Sequence, residues 1–254
     1  MPPWSIASIH YNRNPQPLEI QGTGHIGLKL FEKLDAEQEI ECRGALFHDF
    51  MDVRFQLHQW QREASDNSQR SLKNSYLRFL RGWLFDSNSL EGAVLKGWVE
   101  SRLGLLPTFH RCPITYVHSD AYSHYMIERM RGASRSSSIF SQLDLLYEYI
   151  QYEVRRKYLD HRHLTLFRGF NDLEEHSIVE QTGKNCYLMQ LNSMNSFTGD
   201  FEKAWEFGTR VLKADIPLTK IFFMCGTLPK ALFKGEDEYL VIGGTYDVKV
   251  MIGG

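Results

Sequence analysis

Much is missing from this chain of 254 residues, and each lack narrows what it can be. Net charge is nearly absent: 29 Lys and Arg stand against 31 Asp and Glu, leaving −2. No global basic field draws nucleic acid, and the local basic clusters read as solvated faces. Cysteine is scarce, and Cys42, Cys112, Cys186 and Cys225 are widely spaced, with no CxxC and no paired ligand pattern. They read as reduced, mostly buried thiols of a cytoplasmic protein. No apolar run approaches the roughly 18 residues that suggest a membrane span. Met1-Pro2-Pro3-Trp4-Ser5-Ile6 also lacks the basic and apolar segments of a secretory leader. Internal repeats are missing too. What is present is 43% hydrophobic residues, enough core for one large domain or two small ones.

Residues 1–20 are rich in proline and asparagine, which favours extended or turn backbone, an arm laid over the domain. Gly22-Thr23-Gly24-His25-Ile26-Gly27 is a formal GxGxxG. A dinucleotide fingerprint needs a strand before it and a parallel strand after its helix, and only Leu18-Glu19-Ile20 is available upstream. From about residue 45 to 103 the period is helical. Leu46, Phe50, Val53, Leu57 and Trp60 form one stripe, and Leu72, Tyr76, Phe79, Leu80 and Trp83 a second. A third helix reaches about Arg102, and Gly132 to Ser138 reads as a connection. Leu143, Leu146, Tyr147, Ile150 and Val154 mark another amphipathic helix. Around residue 164 the pattern turns to short strands: 164–168, 186–191, 219–224, 238–242 and 246–252, interrupted by a helix over 201–212. Helices first and strands later predict an α+β protein, with a largely helical region over 1–160 and a β-rich region over 161–254 that together make one compact unit.

Three places in the β-rich part carry polar groups where strands usually present apolar ones. Arg168 ends a strand, where a guanidinium can hold phosphate bidentately while Gly169 lets a ligand near the backbone; a surface ion pair is the plainer reading. Ser196-Phe197-Thr198 puts two hydroxyls on one face, or else serves as a turn and helix cap, as Asp200 would. Glu236 and Glu238, spaced i, i+2 at the start of a strand, point to the same face; a solvated strand entrance is the plainer reading. Phe233 lies three residues before them. His161-Arg162-His163 reads as a surface pair and not as a metal site.

In this order, Arg168, Ser196-x-Thr198 and Glu236-x-Glu238 resemble the arginine, serine and double-glutamate signature of the cholera-toxin-like mono-ADP-ribosyltransferases. Ala204 and Phe207 fall at the spacing of the helix after that serine motif. Phe233-x-x-Glu236-x-Glu238 is similar to the superfamily's target-recognition turn, with Phe197 and Thr198 where Thr and Ser are frequent. Further blocks, among them Phe47-His48-Asp49-Phe50-Met51-Asp52-Val53, Arg78-Phe79-Leu80-Arg81-Gly82-Trp83 and Asn88-Ser89-Leu90-Glu91-Gly92-Ala93, resemble the dinitrogenase reductase ADP-ribosyltransferases over nearly the whole chain.

That resemblance implies a helical N-terminal part packed on an ADP-ribosyltransferase-type β-sandwich, NAD as substrate, no metal, and transfer of ADP-ribose to an arginine of the nitrogenase iron protein. It also implies control by a PII-type signalling protein. Glu238 would stabilise the oxocarbenium-like state at the nicotinamide ribose, and Glu236 would orient and deprotonate the incoming guanidinium. Arg168, Gly169, Ser196 and Thr198 would hold NAD, Phe201 and Trp205 would stack on nicotinamide, and Phe233 would test the acceptor. Two alternatives stay open: a Rossmann oxidoreductase using Gly22 to Gly27, and a catalytically silent NAD-binding module.

Overall fold

The computed structural model describes residues 2–20, 24–57, 75–134, 138–171, 176–230 and 237–252, with the side chains of residues 24–28 outside that description. Two short helices, α1 (Pro3–Ala7) and α2 (Ile9–Arg13), occupy the arm where extended backbone was expected. Pro3 sits at the first helical position, where its missing N–H costs nothing, and the Ser8 hydroxyl caps α2 by accepting from the Tyr11 amide at 3.1 Å. The arm does lie on the sheet, since Asn12 donates to the Thr245 carbonyl at 2.7 Å.

Helix α3 (Gly24–Asp35) covers the end of the glycine motif, whose first residues, 22 and 23, lie outside the described residues. Among the described residues no strand precedes it, and the sheet pairings are all antiparallel, so the βαβ unit that a dinucleotide fingerprint needs is not there. Helix α4 (Ile40–Phe55) buries Phe47 and Met51 completely, whereas Val53 is 80% exposed. Of the expected stripe, Leu57 is buried and Leu46 and Phe50 pack against the core, but Val53 faces solvent and the fully buried row runs through Arg43, Phe47 and Met51, which the charge of Arg43 concealed. Trp60 and Leu72 of the expected stripes lie outside the described residues. Helix α5 (Tyr76–Phe85) follows the expected period, and α6 (Leu90–Leu103) is the third helix expected to about Arg102, buried on nearly every side; Ser75 and Ser89 cap them. A short hairpin, β1 (Phe109–His110) and β2 (Cys112–Pro113), leads to α7 (Asp120–Ala133), a helix that its weak apolar stripe concealed. Helix α8 (Ile139–Lys157) buries its whole predicted stripe.

Six strands then form a sheet: β3 (His163–Phe170), β4 (Ser177–Gly183), β5 (Cys186–Thr198), β6 (Arg210–Pro217), β7 (Ile221–Met224) and β8 (Glu238–Ile252), in the order β4-β5-β3-β6-β8-β7 with an additional β5–β8 pairing. Strand β4 is fully exposed along its length and so carried no apolar signal. The helix expected over 201–212 stops early: α9 spans Phe201–Ala204, a 3-10 turn continues through Trp205–Phe207, and β6 begins at Arg210. The two C-terminal strands are one, because Gly244 at φ 126° carries β8 past a register shift opposite Leu191 and Met194. The long β5–β8 ribbon bends there. In its first half Tyr239 to Val241 pair with β7, and its second half, from Val248, pairs with β6.

Buried ion pairs fasten helices to the central α8. Arg43 grips Glu153 through two bonds of 2.6 and 2.7 Å, with side chains only 6% and 1% exposed. Arg102 and the Trp98 indole converge on Asp144 at 2.7 and 2.8 Å. Such pairs cost desolvation but become indispensable once formed, because removing one partner strands the other charge. None of the four cysteines is fully buried: all are free, with Cys42 and Cys112 exposed and Cys186 and Cys225 half-buried, which corrects the expectation from scarcity alone. Among the described residues no helix is long and apolar enough to cross a membrane.

Substituting Glu153→Ala should lower stability by about 3–5 kcal/mol, read from urea unfolding by circular dichroism. The double substitution Arg43→Met, Glu153→Leu should recover most of that loss. A loss below about 1 kcal/mol for the single change would show that the pair behaves as a solvated surface bridge.

Candidate active site

The pairing pattern brings the predicted polar residues together. Thr198, the last residue of β5, is paired with Phe167 of β3 on one side and with Glu238, the first residue of β8, on the other. Residues opposite one another in antiparallel strands share a face, so Phe167, Thr198 and Glu238 lie side by side. Ser196 is two residues back along β5, on that same face, and faces Leu240; Glu238 is its diagonal neighbour. The Ser196 hydroxyl and the Arg168 charge both act on the Glu238 carboxyl to lower its pKa, and Arg168 Nη1 donates to the Ser196 carbonyl at 3.0 Å. Residues 168, 196 and 238 are thus neighbours in space.

Glu238 is half-buried, and burial raises its pKa above the usual carboxylate value. The Ser196 hydrogen bond and the Arg168 charge pull the other way without cancelling the shift. Next to it, the Cys225 amide donates to the Glu238 carbonyl at 2.9 Å, and burial pushes the Cys225 thiol up to about 11, so it stays neutral at pH 7. Upstream, Asp237 takes a left-handed φ of 35°, a region that aspartate tolerates better than most residues. The extended alternation therefore begins at Glu238. Glu236 and Phe233 lie outside the described residues.

Thr198 behaves differently from Ser196. Its hydroxyl accepts from the Asp200 amide at 3.1 Å, while Asp200 caps α9 by accepting from the Glu202 and Lys203 amides. The turn-and-cap reading thus accounts for the Thr198 oxygen. Gly169 is required by close packing: a β-carbon there would fall 2.0 Å from the Ala204 carbonyl oxygen. Phe201 meets Phe167 edge-on at 5.4 Å and Trp205 at 5.9 Å, so both suggested stacking residues join a half-exposed aromatic group beside the triad's strands.

Three neighbours went unnoticed in the sequence. Phe167 and Cys225 carry no motif, and their place follows from pairing alone. Trp83, read there as core and as part of a family-like block but given no place in the site, donates its indole N–H to Ser196 Oγ at 2.8 Å. A general signal existed, since a buried tryptophan N–H needs an acceptor. Among the described residues no cluster of three or more His, Cys, Asp or Glu could hold a metal ion, and His163 instead bonds the Asn12 carbonyl at 2.6 Å. A polar cleft of about 290 Å³ between α2 and the sheet, lined in part by Arg13, Asp215 and Asp247, sits far along β8 from Glu238.

The raised pKa of Glu238 fixes the sign of a stability effect. A carboxyl that binds its proton more tightly when folded contributes stability below its unfolded pKa and loses it as pH rises through the folded value. Glu238→Gln should therefore melt higher than wild type at pH 7, the gain shrinking toward zero near pH 4. A variant less stable than wild type at pH 7 would contradict this environment for Glu238.

The family described as dinitrogenase reductase ADP-ribosyltransferase (DRAT) matches residues 1–250. A relative from Rhodospirillum rubrum, named NAD(+)--dinitrogen-reductase ADP-D-ribosyltransferase, is 40% identical over 248 residues, covering 96% of this chain and 90% of the relative. No solved structure matches the chain.

Proposed function

The chain belongs to the dinitrogenase reductase ADP-ribosyltransferase family, and from that premise we propose the reaction and the residues that carry it. It is an NAD-dependent ADP-ribosyltransferase whose acceptor is dinitrogenase reductase, the iron protein of nitrogenase. The acceptor group is an arginine, and its modification switches nitrogenase off. The fold is of the ADP-ribosyltransferase sandwich type, with the helical residues 1–160 serving as the platform for the large acceptor and 161–254 as the NAD-binding core. The enzyme works in the cytoplasm, under control of a PII-type protein.

The observation that carries the site assignment is the contact set linking Arg168, Ser196 and Glu238 at the end of the β5–β8 ribbon. In the reaction the bond between nicotinamide and the ribose anomeric carbon breaks, and its electron pair leaves with nicotinamide. Positive charge develops on the sugar, and the Glu238 carboxylate, in a partly desolvated place, stabilises it. A guanidinium nitrogen then bonds the anomeric carbon and gives up a proton. Guanidinium has a pKa above about 12, so a base is needed, and that role goes to Glu236. Arg168 supplies a fixed positive charge for the NAD phosphates, with Gly169 and Thr198 beside it, while Phe201 and Trp205 offer aromatic faces for nicotinamide. Phe233 reads the acceptor surface. No metal is needed, since the developing charge is positive.

Labelled NAD mixed with purified iron protein tests this reading. Glu238→Gln should reduce transfer by about 10²–10³. Glu236→Gln should impair transfer more than hydrolysis of NAD, and equal loss of both would remove its acceptor-activating role. A protein that binds NAD yet releases no nicotinamide would instead be the silent binding module.

A further inference from the structure

Trp83 projects from α5, in the helical part of the chain, yet its single polar atom ends at the β5–β8 ribbon. The indole is 3% exposed, and its N–H donates to Ser196 Oγ at 2.8 Å. An indole nitrogen can donate but cannot accept, whereas a serine hydroxyl has one proton and two lone pairs. Once Trp83 occupies a lone pair of Ser196, the serine proton is left for another acceptor, and the Glu238 carboxyl, diagonal to Ser196 across the β5–β8 pairing, is the ionisable group on which that hydroxyl acts. Over the Trp83 ring lies Lys96, whose ammonium is 5.8 Å from the ring centre and is held by the Phe109 carbonyl at 2.9 Å and Asn88 Oδ1 at 3.2 Å. Lys96 is 1% exposed, so this cation is part of the core and fixes the ring.

We infer that Trp83 is a positioning residue for the transfer reaction: by donating to Ser196 it locks the serine hydroxyl into the orientation that donates to Glu238, the carboxylate that faces the nicotinamide ribose. This rests on the assignment of Glu238 made above. The hydroxyl of an unconstrained serine rotates among several acceptors, the Glu238 carboxyl among them. With Trp83 in place it favours the ionised Glu238, because a donated hydrogen bond stabilises the charged form against the burial that disfavours it. The charged and titratable groups around that carboxyl are Arg168 on β3, Cys225 after β7, with Lys203 acting on Cys225, and its chain neighbour Asp237. None of these is altered by a change at position 83.

The test measures transfer from labelled NAD to the iron protein for Trp83→Phe, Ser196→Ala and the double variant, with melting temperatures taken alongside. Trp83→Phe should lower kcat about tenfold with the KM for NAD within about twofold, and move the acid limb of the kcat profile upward by about half to one pH unit. In the Ser196→Ala background the same change should cost less than about twofold, because its only route to Glu238 is already gone. Equal costs in both backgrounds, or an unmoved acid limb, would overturn the inference. If Trp83→Phe folds poorly, benzothienylalanine at position 83 keeps the ring shape and removes only the N–H, and it should give the same kcat loss and limb shift. Glu238→Gln, run in parallel, separates the two readings. Near wild-type transfer by that variant would remove Glu238 itself, whereas its inactivity combined with additive costs at 83 and 196 would remove only the role of Trp83.

Discussion

The pairing of β5 with β8 is the constraint on which the rest depends. From Cys186 with Lys249 to Thr198 with Glu238, two long strands run antiparallel and are bent once, at the shift between Leu191 and Met194. Every other strand of the sheet pairs with one of these two: β3 and β4 with β5, β6 and β7 with β8. Because side chains alternate with a period of two, a slip of one residue in this ribbon would turn Ser196 and Glu238 away from each other and bury polar groups in the core. The register that makes the sheet also makes the candidate site.

The helices do more than cover the sheet. Arg43 with Glu153 and Arg102 with Asp144 tie α4 and α6 to α8, and Tyr147, Tyr149 and Gln151 of α8 donate to carbonyls of residues 218–227 around β7. Helix α8 therefore passes the position of the helical layer on to β7, which flanks the first half of β8. A second route is direct, from Lys96 through Trp83 to Ser196. Polar contacts of this kind act in a low-dielectric interior, where they hold orientation more firmly than apolar packing, which tolerates small sliding.

Legibility followed the strength of local signals. The α5 and α8 stripes were readable because each buries a broad apolar face, and α6 was readable from the cap candidates that end at Ser89. Helix α7 and strand β4 were not, since one buries only Tyr125 and Gly132 and the other nothing. At α4 a buried arginine displaced the apparent stripe, and in the arm Pro3 opened a helix where proline was taken to forbid one. The end of the helix after Asp200 was misjudged because Val211 and Leu212 continue an apolar period that belongs to β6.

By itself the sequence determined the chemical inventory: an arginine, a serine and a glutamate in a recognisable order, an α+β succession, and a charge balance that excludes a general nucleic-acid binder. Those are properties of residue types and spacing, and spacing along the chain survives folding. Only the tertiary structure decided that the Thr198 oxygen accepts the Asp200 amide in a turn, that Gly169 is glycine to admit the Ala204 carbonyl, and that Trp83, more than a hundred residues away in the chain, reaches the hydroxyl beside Glu238. Contacts between residues so distant are set by register and helix packing, which depend on the whole core at once, and no local pattern encodes them.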